Sequence, residues 1–216
     1  MIYGNGEMAC LARFYLSHDS EHEVVAFTVE RSYLDSDTFD GLPLVALDEA
    51  VERYPAAGYR AFVAMGYGRV NRDRAERFTE LRELGYDLDS YVSWRSFVWP
   101  DLQIGQNCFV MEGITIQPSV VIGDDVTLGP GNTIGHHCVL GDHSFLASHV
   151  DLSGHVDIGR RTFVGANATV RNRVSLASDN VIGAGAVIMA DTDERGVYAA
   201  PRAKLLTLPS DKLPRI

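Results

Sequence analysis

Val121-Ile122-Gly123-Asp124-Asp125-Val126-Thr127-Leu128-Gly129-Pro130-Gly131-Asn132-Thr133-Ile134-Gly135 repeats one pattern every six residues: an aliphatic residue, then Gly, then a polar pair, then a small or β-branched residue. Followed outward in steps of six, the aliphatic series runs without a gap: Ile104, Val110, Ile116, Ile122, Leu128, Ile134, Leu140, Leu146, Leu152, Ile158, Val164, Val170, Leu176, Ile182 and Ile188, with Val98 before it. Gly follows the aliphatic at 105, 123, 129, 135, 141, 159, 165 and 183, and residues such as Val120, Val126, Ser144, Val150, Thr162, Ala168 and Ala186 stand four places after it. A fixed short period marks a repeat architecture. A strand alternates faces every two residues, so six residues supply one short strand and a corner. Three such units close a triangular coil of eighteen residues, and coils stack about 4.8 Å apart, the spacing of hydrogen-bonded strands. The expectation is a parallel β-helix with aliphatics in its bore and Gly easing its corners.

Composition narrows the function classes. The chain has 216 residues and a net charge of −10, a balance unsuited to non-specific nucleic-acid binding. Cys10, Cys108 and Cys138 lie far apart with no CxxC, as in a reduced cytosolic protein. Cys108 and Cys138 fall four places after an aliphatic and read as core filler. The start shows no basic end followed by an apolar run, and no stretch approaches the length of a spanning helix. A soluble, cytoplasmic protein is expected.

Residues 1–92 do not share the period. Met1–Tyr3, Val24–Val29 and Tyr59–Met65 read as strands, with a short extended piece at Leu42–Val45. Helices are expected after Gly6 through Leu16, around 47–54 and over 72–84, giving a small α/β unit with a parallel, Rossmann-like sheet. The turn Gly4-Asn5-Gly6, with Ala9 following, sits between strand and helix, where backbone amides can hold phosphate. Glu30, at the end of the second strand, stands where such folds place a carboxylate facing a ribose or base. The expected organisation is an α/β nucleotide-sugar domain over 1–92, a β-helix over 93–193 and a tail over 194–216 packed on the coils.

Five of seven histidines fall between 136 and 155. His137, His143, His149 and His155 all take the third place after an aliphatic, and only His137 and His155, eighteen apart, share an edge. Those four therefore do not converge on one metal, and no metal is expected. His143 and His155 read as solvated edge residues. The adjacent pair His136-His137 is the candidate general base, since imidazole can accept a proton near neutral pH.

The stretch Asn132-Thr133-Ile134-Gly135-His136-His137-Cys138-Val139-Leu140-Gly141-Asp142 resembles the left-handed β-helix acyltransferases that acetylate sialic acid or nucleotide-linked amino sugars, such as the bacillosamine and perosamine N-acetyltransferases. The resemblance spans nearly the whole chain and implies a left-handed helix, acetyl-coenzyme A as acyl donor, a nucleotide-linked sugar as acceptor and a homotrimer with shared sites. It places the catalytic base at His136 and the oxyanion-holding amide at Gly154. It assigns Gly4, Asn5 and Gly6 to the sugar-nucleotide phosphates. Gly183 and Ala184, in the run Gly183–Ala186, and the segment Gly196–Lys204 fall along coenzyme A, whose phosphates suit Arg160, Arg161, Arg202 and Lys204. The chain also departs from the family. His137 replaces the acidic partner of the base, leaving Asp142 as the candidate orienting group if folding brings it close. Phe145 stands in place of a second His, and Ser148-His149-Val150 replaces a Pro-Gly-Ala corner, which gives His149 a possible acceptor-side role. The rivals are sugar O-acetylation, a metal-dependent hydratase of the hexapeptide class (whose resemblance calls for a His pair five apart, absent here) and a non-catalytic assembly module.

Overall fold

The computed structural model describes residues 1–205, 207 and 210–212. From Tyr91 to Tyr198 the chain winds as a left-handed parallel β-helix of two-residue strands. Its first face carries the strands at 97–98, 115–116, 133–134, 151–152, 169–170 and 187–188. The second carries those at 103–104, 121–122, 139–140, 157–158 and 175–176, and the third those at 91–92, 109–110, 127–128, 145–146, 163–164, 181–182 and 197–198. Partners are eighteen residues apart, as in Ile116, Ile134, Leu152 and Val170. The aliphatic series lines the bore, where Ile116, Leu128, Ile134, Leu146, Val164 and Ile182 are wholly buried. Each such side chain contributes about 1.5–3 kcal/mol through burial. Cys108 and Cys138 are buried filler, and burial pushes the Cys108 thiol up to about 12.

The glycines have a different task from the one expected. Those in the first place after the aliphatic keep ordinary φ; what they relieve is contact between coils. A Cβ on Gly135 would lie 2.6 Å from Gly154 N, and one on Gly159 2.5 Å from Ser178 N. The left-handed corners fall two residues later, mostly on non-glycine residues: Asn107, Ser119, Asp125, His137, His143, His149, His155, Arg161, Asn167, Arg173 and Asp179 all have φ between 54° and 64°. Asn, Asp and His tolerate that region better than most residues, which accounts for part of the histidine enrichment without any chemistry.

The tail re-enters the fold before it leaves it. Val197 and Tyr198 pair with Val181 and Ile182, sixteen residues back instead of eighteen, and so close the third face as its last strand. The six-residue count breaks at Glu194 because this final turn is two residues short. Residues 201–205 are exposed, and the expectation for 206, 208, 209 and 213–216 lies outside the described residues.

The N-terminal unit is a five-stranded sheet. Its elements are β1 (Ile2–Tyr3), α1 (Glu7–Asp19), β2 (Phe27–Val29), β3 (Thr38–Phe39), β4 (Leu42–Ala46), α2 (Leu47–Arg53), β5 (Phe62–Val63) and α3 (Gly68–Glu83). Strand order is β3-β4-β2-β1-β5, parallel except for β3, which pairs antiparallel with β4. The sheet is thus mixed at one edge, because the loop at 35–41 folds back as a hairpin.

Helix α3 fastens this unit to the edge between the second and third faces. Asn107, Asp125, His143, Arg161 and Asp179 climb that edge at intervals of eighteen. Arg74, 1% exposed, donates to Asp125 Oδ2 (3.0 Å) and to the carbonyls of Asp125, His143 and Ser144. Asn71 Nδ2 donates to Arg161 O, Arg72 reaches Asp179, and Asn107 exchanges hydrogen bonds with the backbone of Val63. His143 is therefore not a solvated edge residue: it is buried with Nδ1 2.9 Å from Asp125 Oδ2, because α3 covers its corner. At the other end, the Tyr15 hydroxyl donates to Glu112 and the Tyr91 hydroxyl to Asp19.

Candidate active site

Two features stand out, on different parts of the surface. One is a cleft of 790 Å³ lined by Tyr3, Gly4, Asn5, Gly6, Glu30 and Phe145 among others, so that the N-terminal unit and the third face share its walls. Gly4 has φ +131° and a Cβ there would lie 2.6 Å from Ala64 O, so both its conformation and its packing require glycine. Gly6 supplies no side-chain cap for the first N–H groups of α1, and Glu7 and Met8 of that first turn line the cleft. Glu30 sits at the rim, paired at 2.6 Å with Arg77. Tyr67 lies on Phe163 (4.4 Å between ring centroids) and meets Phe145 edge-on. Arg69, Val70 and Asn71 form a left-handed turn with φ of 45°, 55° and 61°, an unusual conformation for three successive non-glycine residues and severe for Val70. This turn puts Arg69 on the cleft wall, held by Asp73 and Glu76, and lies just ahead of the helix expected over 72–84, where nothing in the sequence marks it.

The second feature lies on the edge between the first and second faces. His136 is exposed, and its Nδ1 is 3.1 Å from His137 Nδ1. The other side of its ring rests on Gly154: a Cβ added there would be 2.6 Å from both Nε2 and Cε1. Among the described residues nothing accepts from Gly154 N–H. His136 Nε2 thus lies against Gly154, whose backbone N–H has no partner among the described residues. Asp142 is not the orienting group; it accepts from Asp124 N at the next edge and lies 3.8 Å from Arg160. The group in contact with His136 Nδ1 is His137. His155 is not a lone edge residue either. Its ring stacks on His137 at 4.7 Å and meets His136 edge-on at 5.1 Å. Burial, then Arg173, His137 and His136, depress its pKa and favour the neutral ring.

The remaining candidates divide between the other two edges and the tail. Arg160 stands beside Arg72 and His143 at the edge under α3, 57% exposed at its side chain, while Arg161 is bound to Asp179 at 2.7 and 2.8 Å. His149, Gly183 and Ala184 lie on the edge between the third and first faces, with Gly183 packed beneath Tyr198–Ala200. Arg202 and Lys204 are exposed. Neither His136 nor Gly154 lines the cleft. Within one chain the structure unites His136, His137 and Gly154, and separately Gly4, Asn5, Gly6 and Glu30; it does not join the two sets.

Comparison with known proteins bears on both. A family profile described as bacterial transferase hexapeptide (six repeats) matches residues 101–136 and 119–154, and one described as hexapeptide repeat of succinyl-transferase matches 155–190. Residues 101–190 form a hexapeptide-repeat domain of the transferase type. No curated protein matches the chain. The hexapeptide domain and the N-terminal unit together are similar to PerB from Caulobacter crescentus, solved with CoA and GDP-perosamine, at 28% identity and TM-score 0.83 over 92% of each chain. A variant of the perosamine N-acetyltransferase from that organism, with a His replaced by Asn and the same two ligands, is 26% identical with TM-score 0.81 over 92% of each chain. The acetyltransferase domain of PglB from Neisseria gonorrhoeae FA1090 has TM-score 0.83 over 95% of this chain and 98% of that one; at 24% identity it speaks to the fold. Among the described residues no helix is long and apolar enough to cross a membrane.

Proposed function

We propose that the protein is an acetyl-coenzyme A–dependent N-acetyltransferase acting on the amine of a nucleotide-linked amino sugar. The observation that carries this reading is His136 laid on Gly154, with Nδ1 engaged by His137 and Nε2 free beside an unpartnered N–H. If His136 Nδ1–H donates to His137, the tautomer leaves the Nε2 lone pair to act as base. The sugar amine attacks the thioester carbonyl carbon, and His136 Nε2 takes its proton. Gly154 N–H holds the oxygen as it gains charge. The C–S bond then breaks, the imidazolium returns the proton to the leaving sulfur, and the products are the amide and free thiol. His137 does the orienting that a carboxylate would otherwise do, without adding negative charge.

The cleft suits the nucleotide end of the acceptor. The Gly4-Asn5-Gly6 turn and the start of α1 offer N–H donors to phosphate, and Glu30 faces the same space. PerB, solved with CoA and GDP-perosamine, supports an acceptor of this class, and the related His variant supports a role for a histidine. Because the cleft and His136 lie apart in one chain, the complete site forms between neighbouring chains, most simply in a homotrimer. The Gly183-Ala184 edge of one copy then faces the His136 edge of the next, with Arg202 and Lys204 available to the coenzyme A phosphates.

The test is thiol release from acetyl-coenzyme A with nucleotide-linked amino sugars, each beside its hydroxyl counterpart. Release with the amine alone fits the proposal; release with the hydroxyl alone makes the enzyme an O-acetyltransferase; release with neither removes the acyl-transfer reading.

A further inference from the structure

Base and orienting partner account for two imidazoles at this edge, yet three meet there. His136, His137 and His155 each bring a ring nitrogen to within 4.8 Å of the others. The 3.1 Å between the Nδ1 atoms of His136 and His137 is close to the edge of a tetrahedral zinc site, about 3.3 Å for Zn–N bonds of about 2.0–2.1 Å. The scaffold fixes the cluster, since no loop supplies any member. His137 and His155 occupy left-handed corners with φ of 59°, one coil apart, and His155 N–H donates to His136 O at 2.8 Å. Among the described residues no carboxylate bonds any of the three rings. Small rotations of exposed or half-buried side chains can therefore close them on a shared ligand.

The alternative is that the three simply pack. Stacking explains His137 on His155 and a hydrogen bond explains His136 with His137, but neither explains why three lone-pair donors share one small patch with no carboxylate bonded to any of them among the described residues. Imidazole donors favour zinc, nickel and copper over magnesium or calcium, which prefer oxygen. We propose that His136, His137 and His155 bind one divalent transition-metal ion of the zinc, nickel or copper class, and that the ion silences acyl transfer: bound at His136 Nδ1, it leaves the ring proton on Nε2, which then has no lone pair to act as base. The ion forms bonds to three ring nitrogens and keeps its remaining position for water; no electron is transferred. The inhibitory half rests on the function proposed above, whereas the binding half does not.

Calorimetric titration of tag-free protein with Zn²⁺ tests the binding. One ion per chain is expected. His136→Ala, His137→Ala and His155→Ala should each weaken it by about 10-fold or more, since even outer-sphere changes cost that much. His18→Ala, on α1, should leave it unchanged, and Mg²⁺ should not bind. Full-strength binding by His155→Ala, or equal loss in His18→Ala, overturns the site. In the thiol-release assay Zn²⁺ should stop turnover over the concentrations at which it binds, a chelator should restore it, and the turnover left to His155→Ala should resist Zn²⁺. Wild-type turnover that persists with zinc saturating overturns the inhibition. Should no acceptor release thiol, the acyl-transfer reading fails on its own, and the titration still decides the ion site.

Discussion

Gly154 and Gly135 are neighbours on successive coils, and replacing each by Ala should give opposite results. On Gly154 the new Cβ would lie 2.6 Å from Nε2 and Cε1 of His136 and 3.1 Å from Cδ2. An ordinary contact needs about 3.4 Å, so the ring must retreat by about 0.8 Å. The ring is exposed and ends a flexible side chain, so that movement costs little. Gly154 has ordinary φ, and Gly→Ala at such a site gains about 0.4–1 kcal/mol from the stiffer unfolded chain. Catalysis is less forgiving: a displacement near 1 Å costs about 100-fold in rate. Gly154→Ala should therefore keep its Tm or raise it slightly while losing about two orders of magnitude in kcat. On Gly135 the Cβ would meet Gly154 N at 2.6 Å, Ser153 C at 2.6 Å and Leu152 O at 2.8 Å, all backbone in the next coil. Nothing there can rotate away, so Gly135→Ala should lower Tm sharply. Thermal melts beside thiol-release kinetics separate the two. Full turnover by Gly154→Ala would refute the claim that the reaction happens where His136 meets Gly154.

His136→Ala should lower kcat by about 10²–10⁴-fold with little change in coenzyme A affinity; an equal loss in His137→Ala with little in His136→Ala moves the base one residue along. Arg74→Ala leaves Asp125 charged and buried, so denaturant unfolding should show a loss of about 3–5 kcal/mol. The hydrogen bonds from Arg161 hold the Asp179 carboxylate below the usual range. A depressed carboxylate stabilises the fold above its unfolded pKa of about 3.9 and loses that contribution as pH falls through the folded value, so Asp179→Asn should flatten the acid limb of a Tm-versus-pH curve. Light scattering should show a trimer, and co-expression of His136→Ala chains with Ala184→Trp chains should recover turnover that neither has alone; no recovery would place both edges in one chain's site.

The β-helix is legible because its constraints are local and periodic: bore, close approach and corner recur at fixed places, so Ile134 and Leu152 declare themselves without knowledge of their neighbours. His143 and His155 show where that stops. In the sequence both hold the third place after an aliphatic, and nothing local distinguishes them, yet one is buried against Asp125 and the other joins the open cluster at His136. What separates them is which edge α3 covers, a fact that belongs to packing between the two units. The signal was present at the longer stride of eighteen, where Asn107, Asp125, His143, Arg161 and Asp179 form a polar ladder: Asp125 pairs with Asn107 and His143, and Asp179 with Arg161, which free solvent would not require. The contact to His136 Nδ1 comes from the adjacent imidazole of His137, at the place where the family resemblance calls for an acidic residue. The left-handed turn at Arg69–Asn71 had no sequence signal at all, since Val70 is among the residues least suited to it. Tertiary contacts must hold that turn in place, from Asn71 bonded to Arg161 and Arg74 bonded to Asp125. The same contacts that join the two units therefore shape the wall of the cleft, and a substitution such as Asn71→Ala should disturb acceptor binding from outside the cleft itself.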